Sequence, residues 1–435
     1  MRSVKCGRTP PRVRQFNTAM LKFINYLHGS ELVASFQKLC GLCAVEDEDP
    51  TCQRPLVTRE YPVSEPGSKD TSIRKRCENG QLNGELTKSG RHDNNSNYKY
   101  KTSEYNGVAS RDPLPQYQVG SCLLHCLFLL SAELGHELFY ISFLPCIHWN
   151  LDPFLCRRMV TMWAIVMYIG QVMKDKLKMP RPLSPPVVKL ETRVNAEYGM
   201  PSTHAMAATS ISFTFLLSAS TRLQFPFGAG LLLAVTLSML VGLSRLYTGM
   251  HSALDVICGM LISAALLMLT YPLWDAFDHL QLTSPLSPIV ALVLALFLCY
   301  SYPELDHYST TRGDTTIIVA VSAGCSMGYW VNKQLGQTYE PDGGFPLPLP
   351  ALTGLALARG SARFLLGLAV LVGMRSVMKS VSLWLICSWH KVPLHDLNAR
   401  REKKIEVPYK FSTYITIGLL NTILMNRLFV ALNLL

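Results

Sequence analysis

Along most of the second two-thirds of the chain, apolar residues run in blocks broken by short polar or proline-bearing turns. From Val119 onward the blocks fall at about 121–146, 158–174, 203–221, 226–245, 251–270, 286–302, 315–332, 351–374 and 410–433. Each approaches the ~20 residues that cross a ~30 Å hydrocarbon layer as a helix. Lipid leaves backbone polar groups no partner, so such blocks are helical. A shorter apolar piece at 381–390 is open to three readings: re-entrant, interfacial or a tilted tenth span. Pro153, the Pro180–Pro186 cluster, Pro226, Pro272, Pro285 and the Pro341–Pro350 loop punctuate the pattern. The predicted fold is all-α, a polytopic membrane bundle of about 8–10 transmembrane helices.

Residues 1–119 break this pattern. They are polar, mixed in charge and rich in Asn, Ser and Gly beyond Thr51. Arg74–Arg76 and Asp93–Asn97 read as disordered. A stretch near residues 20–39 has the spacing of an amphipathic helix, lying on the membrane or exposed to solvent.

Composition changes the picture little. The 435 residues carry a formal charge of +11. The basic residues cluster in the N-terminal segment and near helix ends, where they set topology and meet anionic lipid. Nucleic acid is therefore not an expected partner; the lipid bilayer is. Most of the 13 cysteines sit within apolar blocks as small hydrophobes. Cys40 and Cys43 form a Cys-x-x-Cys pair without a second pair at metal-binding spacing, so no metal site is expected. No N-terminal signal peptide is visible.

Three polar stretches stand out at the ends of apolar blocks. They are Lys174-x6-Arg181-Pro182, Pro201-Ser202-Thr203-His204 and Ser244-Arg245-x5-His251-x3-Asp255. The hairpin 203–245 returns to the face where it began, so all three can meet on one side of the membrane. Charges there are costly and call for a function. Lys174, Arg181 and Arg245 suit a phosphate dianion, the arginines through their planar forks. Ser202 is placed to cap the following helix, whose free N–H groups favour an anion. An ordinary cap with an interfacial histidine fits that stretch alone equally well. His251 and Asp255, four apart, would share a helical face, so the carboxylate could hold one imidazole N–H and leave the other nitrogen nucleophilic. A surface His–Asp pair is the plainer alternative.

These residues resemble the signature of the type 2 phosphatidic acid phosphatase superfamily, K-x6-R-P, P-S-G-H and S-R-x5-H-x3-D, matched throughout except that Thr203 replaces glycine. The superfamily includes lipid phosphate phosphatases, glucose-6-phosphatases and vanadium haloperoxidases. The resemblance implies a phosphatase core at 120–275, with additional helices at 276–435. It implies that His251 is the nucleophile, Asp255 its orienting partner and His204 the acid for the leaving oxygen. Lys174, Arg181, Ser202, Thr203, Ser244 and Arg245 would bind phosphate, without metal or other cofactor. Tyr198–Met206, Glu137–Ile141, Trp149–Pro153, Pro185–Glu191, Gly249–Ser252, Thr311–Thr315 and Phe36–Gly41 look like the sphingosine-1-phosphate phosphatase branch. That branch implies a phosphorylated sphingoid base as substrate and the endoplasmic reticulum membrane as location. The motifs read only the phosphate, so another lipid, isoprenoid or sugar phosphate, or a silent scaffold, remains compatible with them.

Other charges lie within the apolar blocks: Glu133 and Glu137 with His136, Arg359 and Arg363, and Arg427. Structural Glu–Arg contacts are the expectation for them. Glu191 and Glu197, just before Ser202, are candidates for a substrate ammonium, against the plainer reading of solvated loop carboxylates. Topology signals conflict. Arg157-Arg158 favours a cytosolic loop and hence a lumenal pocket, whereas the long basic N-terminus favours the reverse. A dip into the membrane around 121–133 would reconcile them. Asn94-Asn-Ser96 accepts a glycan only in the lumen.

Overall fold

The computed structural model describes residues 11–44, 117–191, 197–341, 343–349, 351 and 353–434. Arg74–Arg76, Asp93–Asn97 and the Asn94 acceptor lie outside the described residues. Helices dominate. In chain order they are α1 (Pro11–His28), α2 (Ser30–Leu39), α3 (Cys122–Leu134), α4 (Glu137–Asn150), α5 (Pro153–Leu177), α6 (Thr203–Arg222), α7 (Phe227–Tyr247) and α8 (Ala253–Thr270). Then come α9 (Trp274–Thr283), α10 (Ser287–Tyr300), α11 (Thr311–Gln334), α12 (Gly354–Trp389), α13 (Leu397–Arg401), α14 (Lys403–Leu419) and α15 (Met425–Ala431). Two minimal ribbons are also present among the described residues. β1 (Leu42–Ala44) pairs antiparallel with β2 (Tyr117–Val119), and β3 (Leu223–Gln224) runs parallel to β4 (Leu347–Pro348).

The chain is a multi-pass helical membrane protein. Among the described residues, four helical stretches are long and apolar enough to cross a bilayer: Phe227–Tyr247, Ala253–Thr283, Gly354–Trp389 and Lys403–Ala431. A fifth is formed if α3 and the greater part of α4, bent by 66°, count as one span. α7, α8, α10 and α12 present Leu232, Leu261, Val293 and Leu365 outward, all more than half exposed, which suits hydrocarbon rather than water. α5, α6 and α11 fall outside that set because they carry the polar residues, and they occupy the centre. Leu155, Met159, Trp163, Ala207, Ile211, Ile318 and Tyr329 form the core there.

Small residues set the closest approaches. A Cβ on Gly324 would lie 2.2 Å from the Ile415 carbonyl oxygen, and one on Gly328 would lie 1.8 Å from Thr422 Oγ1. These glycines let α11 lie directly against the continuous α14–α15 helix, as glycine does between membrane helices.

Three expectations need correction. The 381–390 piece is the end of α12, a single 36-residue helix rather than a separate element. At 1.5 Å per residue it outruns the hydrocarbon layer. The 121–146 block is two helices hinged at Gly135-His136. Arg157 and Arg158 are buried instead of forming a solvated loop. Both pair with Asp278, Arg157 also with Glu340 and Arg158 with Asp275, while Arg222 pairs with Asp152 and Glu340. All three guanidinium groups lie against the Phe154 ring. This network sits at the start of α5, roughly 25 Å from Lys174 at its other end.

Near residues 20–39, α1 and α2 break at Gly29. α2 docks through Gln37, whose side-chain amide donates to the carbonyls of Val188 (2.7 Å) and Tyr247 (2.8 Å) and accepts from the Val188 N–H (2.9 Å). α1 keeps Leu21, Phe23 and Tyr26 exposed. The cysteine pair is divided: Cys43 is disulfide-bonded, while Cys40 is free and buried.

Candidate active site

The three polar stretches converge. Lys174, in the last turn of α5, is 2% exposed. Its Nζ reaches Thr203 Oγ1 at 3.4 Å and Glu197 Oε2 at 3.3 Å. α5 ends at Lys178, whose φ of 51° turns the chain into the proline loop. Arg181 is pinned there by two backbone carbonyls, Nε to Glu197 O and Nη1 to Met250 O, each at 2.9 Å. One carbonyl belongs to the second loop and the other to the third, so Arg181 ties the pieces together.

Ser202 is the N-cap of α6 and is fully buried; its Oγ accepts from the Ala205 N–H at 3.5 Å. Its own N–H donates to the Asp255 carbonyl at 3.0 Å, joining the start of α6 to that of α8. Thr203 opens α6 with a φ outside the left-handed region, so its N–H stands among the unbonded first-turn donors that glycine would offer. Its hydroxyl adds the contact to Lys174. Its methyl needs room that Gly170 provides: a Cβ there would come within 3.2 Å of Thr203 Cγ2. The off-pattern threonine thus has its own seat.

His204 follows in the same turn. Gly135, at the α3–α4 hinge, packs against it so closely that a Cβ would lie 3.0 Å from His204 Cδ2. Ser244 is buried, but its hydroxyl donates to the Val241 carbonyl at 2.7 Å, so its donor is committed to its own helix. Arg245, 2% exposed, donates to both carboxylate oxygens of Glu191 at 2.9 and 3.1 Å.

Between Arg245 and His251 the chain turns at Gly249, whose φ of +71° suits glycine alone without strain. A Cβ at that position would also lie 2.3 Å from the Val188 carbonyl oxygen. The His251 N–H returns to the Arg245 carbonyl at 3.3 Å.

His251 is not on α8, contrary to the expected shared helical face. It precedes the N-cap Ser252, and Asp255 is the N3 residue of a capping box. Asp255 Oδ2 accepts the Ser252 N–H at 2.8 Å and lies 3.7 Å from His251 Nδ1. That distance is an ion-pair approach, too long for a hydrogen bond. The capping box, rather than helical spacing, fixes the carboxylate beside the imidazole. Burial first, then the charges of Arg181, Arg245 and Lys174, hold the His251 imidazole well below the ordinary histidine range. The ring is therefore neutral at physiological pH, the state in which its nitrogen is a nucleophile.

Glu191 and Glu197 are not free for an ammonium: Glu197 is largely buried and Glu191, one-third exposed, is engaged by a cation. They neutralise Arg245, and Lys174 with Arg181 at 3.3 and 3.5 Å. Burial raises the Glu197 carboxyl, but Lys174, a hydroxyl bond from Thr310 (2.8 Å) and Arg181 outweigh it and hold it below the usual range.

The C-terminal helices brace this arrangement, a role not apparent from the sequence. Asp175, next to Lys174, accepts hydroxyl bonds from Tyr302 and Thr311, each at 2.7 Å. Arg312 grips buried Glu406 at 2.9 and 2.6 Å. The visible signal was Asp175 itself, a second charge at the end of an apolar block.

Among the described residues Glu133 forms no ion pair, and Arg363 donates to the Trp149 carbonyl, so the expected Glu–Arg contacts are absent there.

Residues 156–278, which span α5 to α8 and all three stretches, match the PAP2 superfamily. With its polytopic helical fold, the chain belongs to that superfamily. Similarity over nearly the whole chain places it more narrowly, in the sphingosine-1-phosphate phosphatase family. It is 44% identical to human sphingosine-1-phosphate phosphatase 2 over 93% of this chain and 97% of the relative. Identity to the mouse counterpart is 50% over 71% and 87%. With mouse sphingosine-1-phosphate phosphatase 1 it is 38% over 93% and 96%. No solved structure matches the chain.

Proposed function

We propose that this chain is a phosphoric monoester hydrolase of the endoplasmic reticulum membrane. Its substrates are sphingosine 1-phosphate and dihydrosphingosine 1-phosphate, and its intermediate is a phosphohistidine on His251. The observation that carries the reading is one buried histidine beside a carboxylate, surrounded by Lys174, Arg181 and Arg245 at a single bundle end. The substrate class follows from the relatives' names.

In the first half, Nε2 of His251 bonds to phosphorus in line with the departing alkoxide, and the phosphorus–oxygen bond breaks. His204, which takes up a proton as the phosphate dianion binds beside it, gives that oxygen its proton. Lys174, Arg181, Arg245 and the first N–H groups of α6, including that of Thr203, hold the equatorial oxygens, where charge builds up. Ser202 serves as the cap that orders those donors, and Ser244 joins them if its hydroxyl turns from Val241. In the second half, His204 accepts a proton from water, the water oxygen bonds to phosphorus, and the phosphorus–nitrogen bond breaks. Asp255 balances the charge that His251 acquires. The core at 120–275 supplies every reacting group, and helices from 276–435 brace it.

The pocket faces the lumen in this reading. Cys43 is disulfide-bonded on a ribbon that packs with Tyr247 and Val188 at the same bundle end, and disulfides persist in oxidising compartments. The test is phosphate release by purified protein across a panel of lipid phosphates, with chelator present. Preferential hydrolysis of sphingoid base phosphates is expected. Preference for glycerol-based substrates would overturn the substrate assignment.

A further inference from the structure

The hinge between α3 and α4 leaves a carboxylate in an apolar groove. Leu127, Leu130 and Leu134 of α3, Phe139 of α4 and Leu240 of α7 line a cavity of about 500 Å³, and Glu133 projects among them. Glu133 is exposed on the bundle surface and has no ion-pair partner among the described residues. The other polar lining groups are committed to their own helices: Ser131 donates to the Leu127 carbonyl and Ser142 to that of Phe139. A carboxylate facing hydrocarbon with no counter-charge is costly and calls for a cation from outside.

Position identifies that cation. Gly135, two residues after Glu133, is the residue packed on His204, and its Cβ would also lie 2.9 Å from Val241 Cγ1, next to Leu240. The cavity, lined by the Leu134 that precedes Gly135 and the Leu240 that precedes Val241, thus lies across the hinge from the group assigned to protonate the leaving oxygen. In a phosphorylated sphingoid base the ammonium-bearing carbon is bonded to the carbon that carries the leaving oxygen. The ammonium must then lie beside His204, and the alkyl chain must leave through an apolar wall. Glu191 and Glu197, the other nearby acids, are occupied by the phosphate-binding cations.

We propose that Glu133 and the groove between α3, α4 and α7 form the sphingoid-base subsite, with the carboxylate pairing the substrate ammonium and the leucines taking the first part of its chain. This rests on the function proposed above. Glycerol-based monoesters carry no ammonium at that carbon and would leave Glu133 unpaired, so the same residue discriminates against them.

The experiment compares dihydrosphingosine 1-phosphate with an otherwise identical monoester carrying hydroxyl in place of the amine. Both are measured on wild type, Glu133→Gln and Glu133→Asp protein in detergent micelles. Wild type should favour the amine by about tenfold or more in kcat/KM. Glu133→Gln should lose that preference through a raised KM for the amine substrate alone, and Glu133→Asp should retain most of it. Unchanged preference in Glu133→Gln, or equal loss on both substrates, would overturn the subsite. Wild type that handles both substrates equally would overturn the substrate class itself and the subsite with it.

Discussion

Glu191 holds Arg245 through two oxygens at 2.9 and 3.1 Å, the geometry in which a guanidinium grips phosphate. Glu197 holds Lys174 and Arg181 less tightly, through Oε2 alone, at 3.3 and 3.5 Å. Each cation of the proposed phosphate site is therefore neutralised from one loop. This keeps three like charges from repelling one another in a buried site, and an incoming dianion must displace the carboxylates. Glu191→Gln should thus bind product more tightly, with the inhibition constant for inorganic phosphate falling several-fold. Product-inhibition kinetics measure this. A weaker inhibition would mean that Glu191 positions Arg245 rather than competing for it.

Thr203 allows a sharper test of local chemistry. Reverting it to the superfamily glycine keeps the N–H but removes the hydroxyl that Lys174 reaches and the methyl seated against Gly170. Glycine in the first turn also adds backbone freedom at a cost of about 0.5–1 kcal/mol. Thr203→Gly should lower kcat/KM several-fold, while Thr203→Ser stays within about twofold because the hydroxyl remains. Equal losses in both would assign the effect to the methyl alone.

The turn at Gly249 predicts a larger effect. Alanine there meets a positive φ and a backbone oxygen at 2.3 Å, neither of which can yield without moving Val188 or the Arg245–His251 connection. Gly249→Ala should cost roughly 1–3 kcal/mol of stability for the strained conformation and remove most activity. Thermal unfolding in detergent, read beside phosphate release, checks both. Gly228, which has open space around it, should tolerate alanine in the same assay.

Much of this site was legible because its parts are local. Lys174, Arg181, Ser202, His204, Arg245 and His251 each sit beside a helix end that the apolar pattern already located, and the parity of the hairpin 203–245 brought those ends to one face. What escaped was tertiary. The spacing of His251 and Asp255 suggested one helical face, whereas a capping box at Ser252 sets their approach. Nothing local distinguishes a carboxylate that binds substrate from one that neutralises a phosphate-binding arginine, so Glu191 and Glu197 could not be read from their loop. Arg157-Arg158 read as a topology signal because their partners, Asp278 and Glu340, lie more than a hundred residues away.

The protonation state of His251 predicts a stability profile. Its folded-state pKa lies well below the ordinary value, so between the two the unfolded chain binds more protons than the folded one. Its contribution is fully present above about pH 6.5 and is lost as pH falls toward the folded value. Replacing it with glutamine, which does not titrate, should flatten the acid-side loss of melting temperature between about pH 6.5 and 5. An unchanged slope would mean that the ring is not held neutral.

The two histidines should separate by the half-reaction each serves. His251→Ala removes the atom that bonds to phosphorus, so turnover and any covalent phosphoenzyme should both vanish while the protein remains folded in the membrane. His204→Ala leaves that atom in place but withdraws the proton from the leaving oxygen, a loss of roughly 10²- to 10⁴-fold for an alkyl alcohol. An aryl phosphate, whose phenolate departs without much protonation, should lose far less in the first half. Hydrolysis of the intermediate, which also needs His204, then becomes slow. Rapid quench of His204→Ala with labelled aryl phosphate should therefore trap acid-labile, base-stable phosphoenzyme, absent from His251→Ala under the same conditions. Trapped phosphate in His251→Ala, or equal losses on alkyl and aryl substrates in His204→Ala, would reassign the nucleophile or the acid respectively.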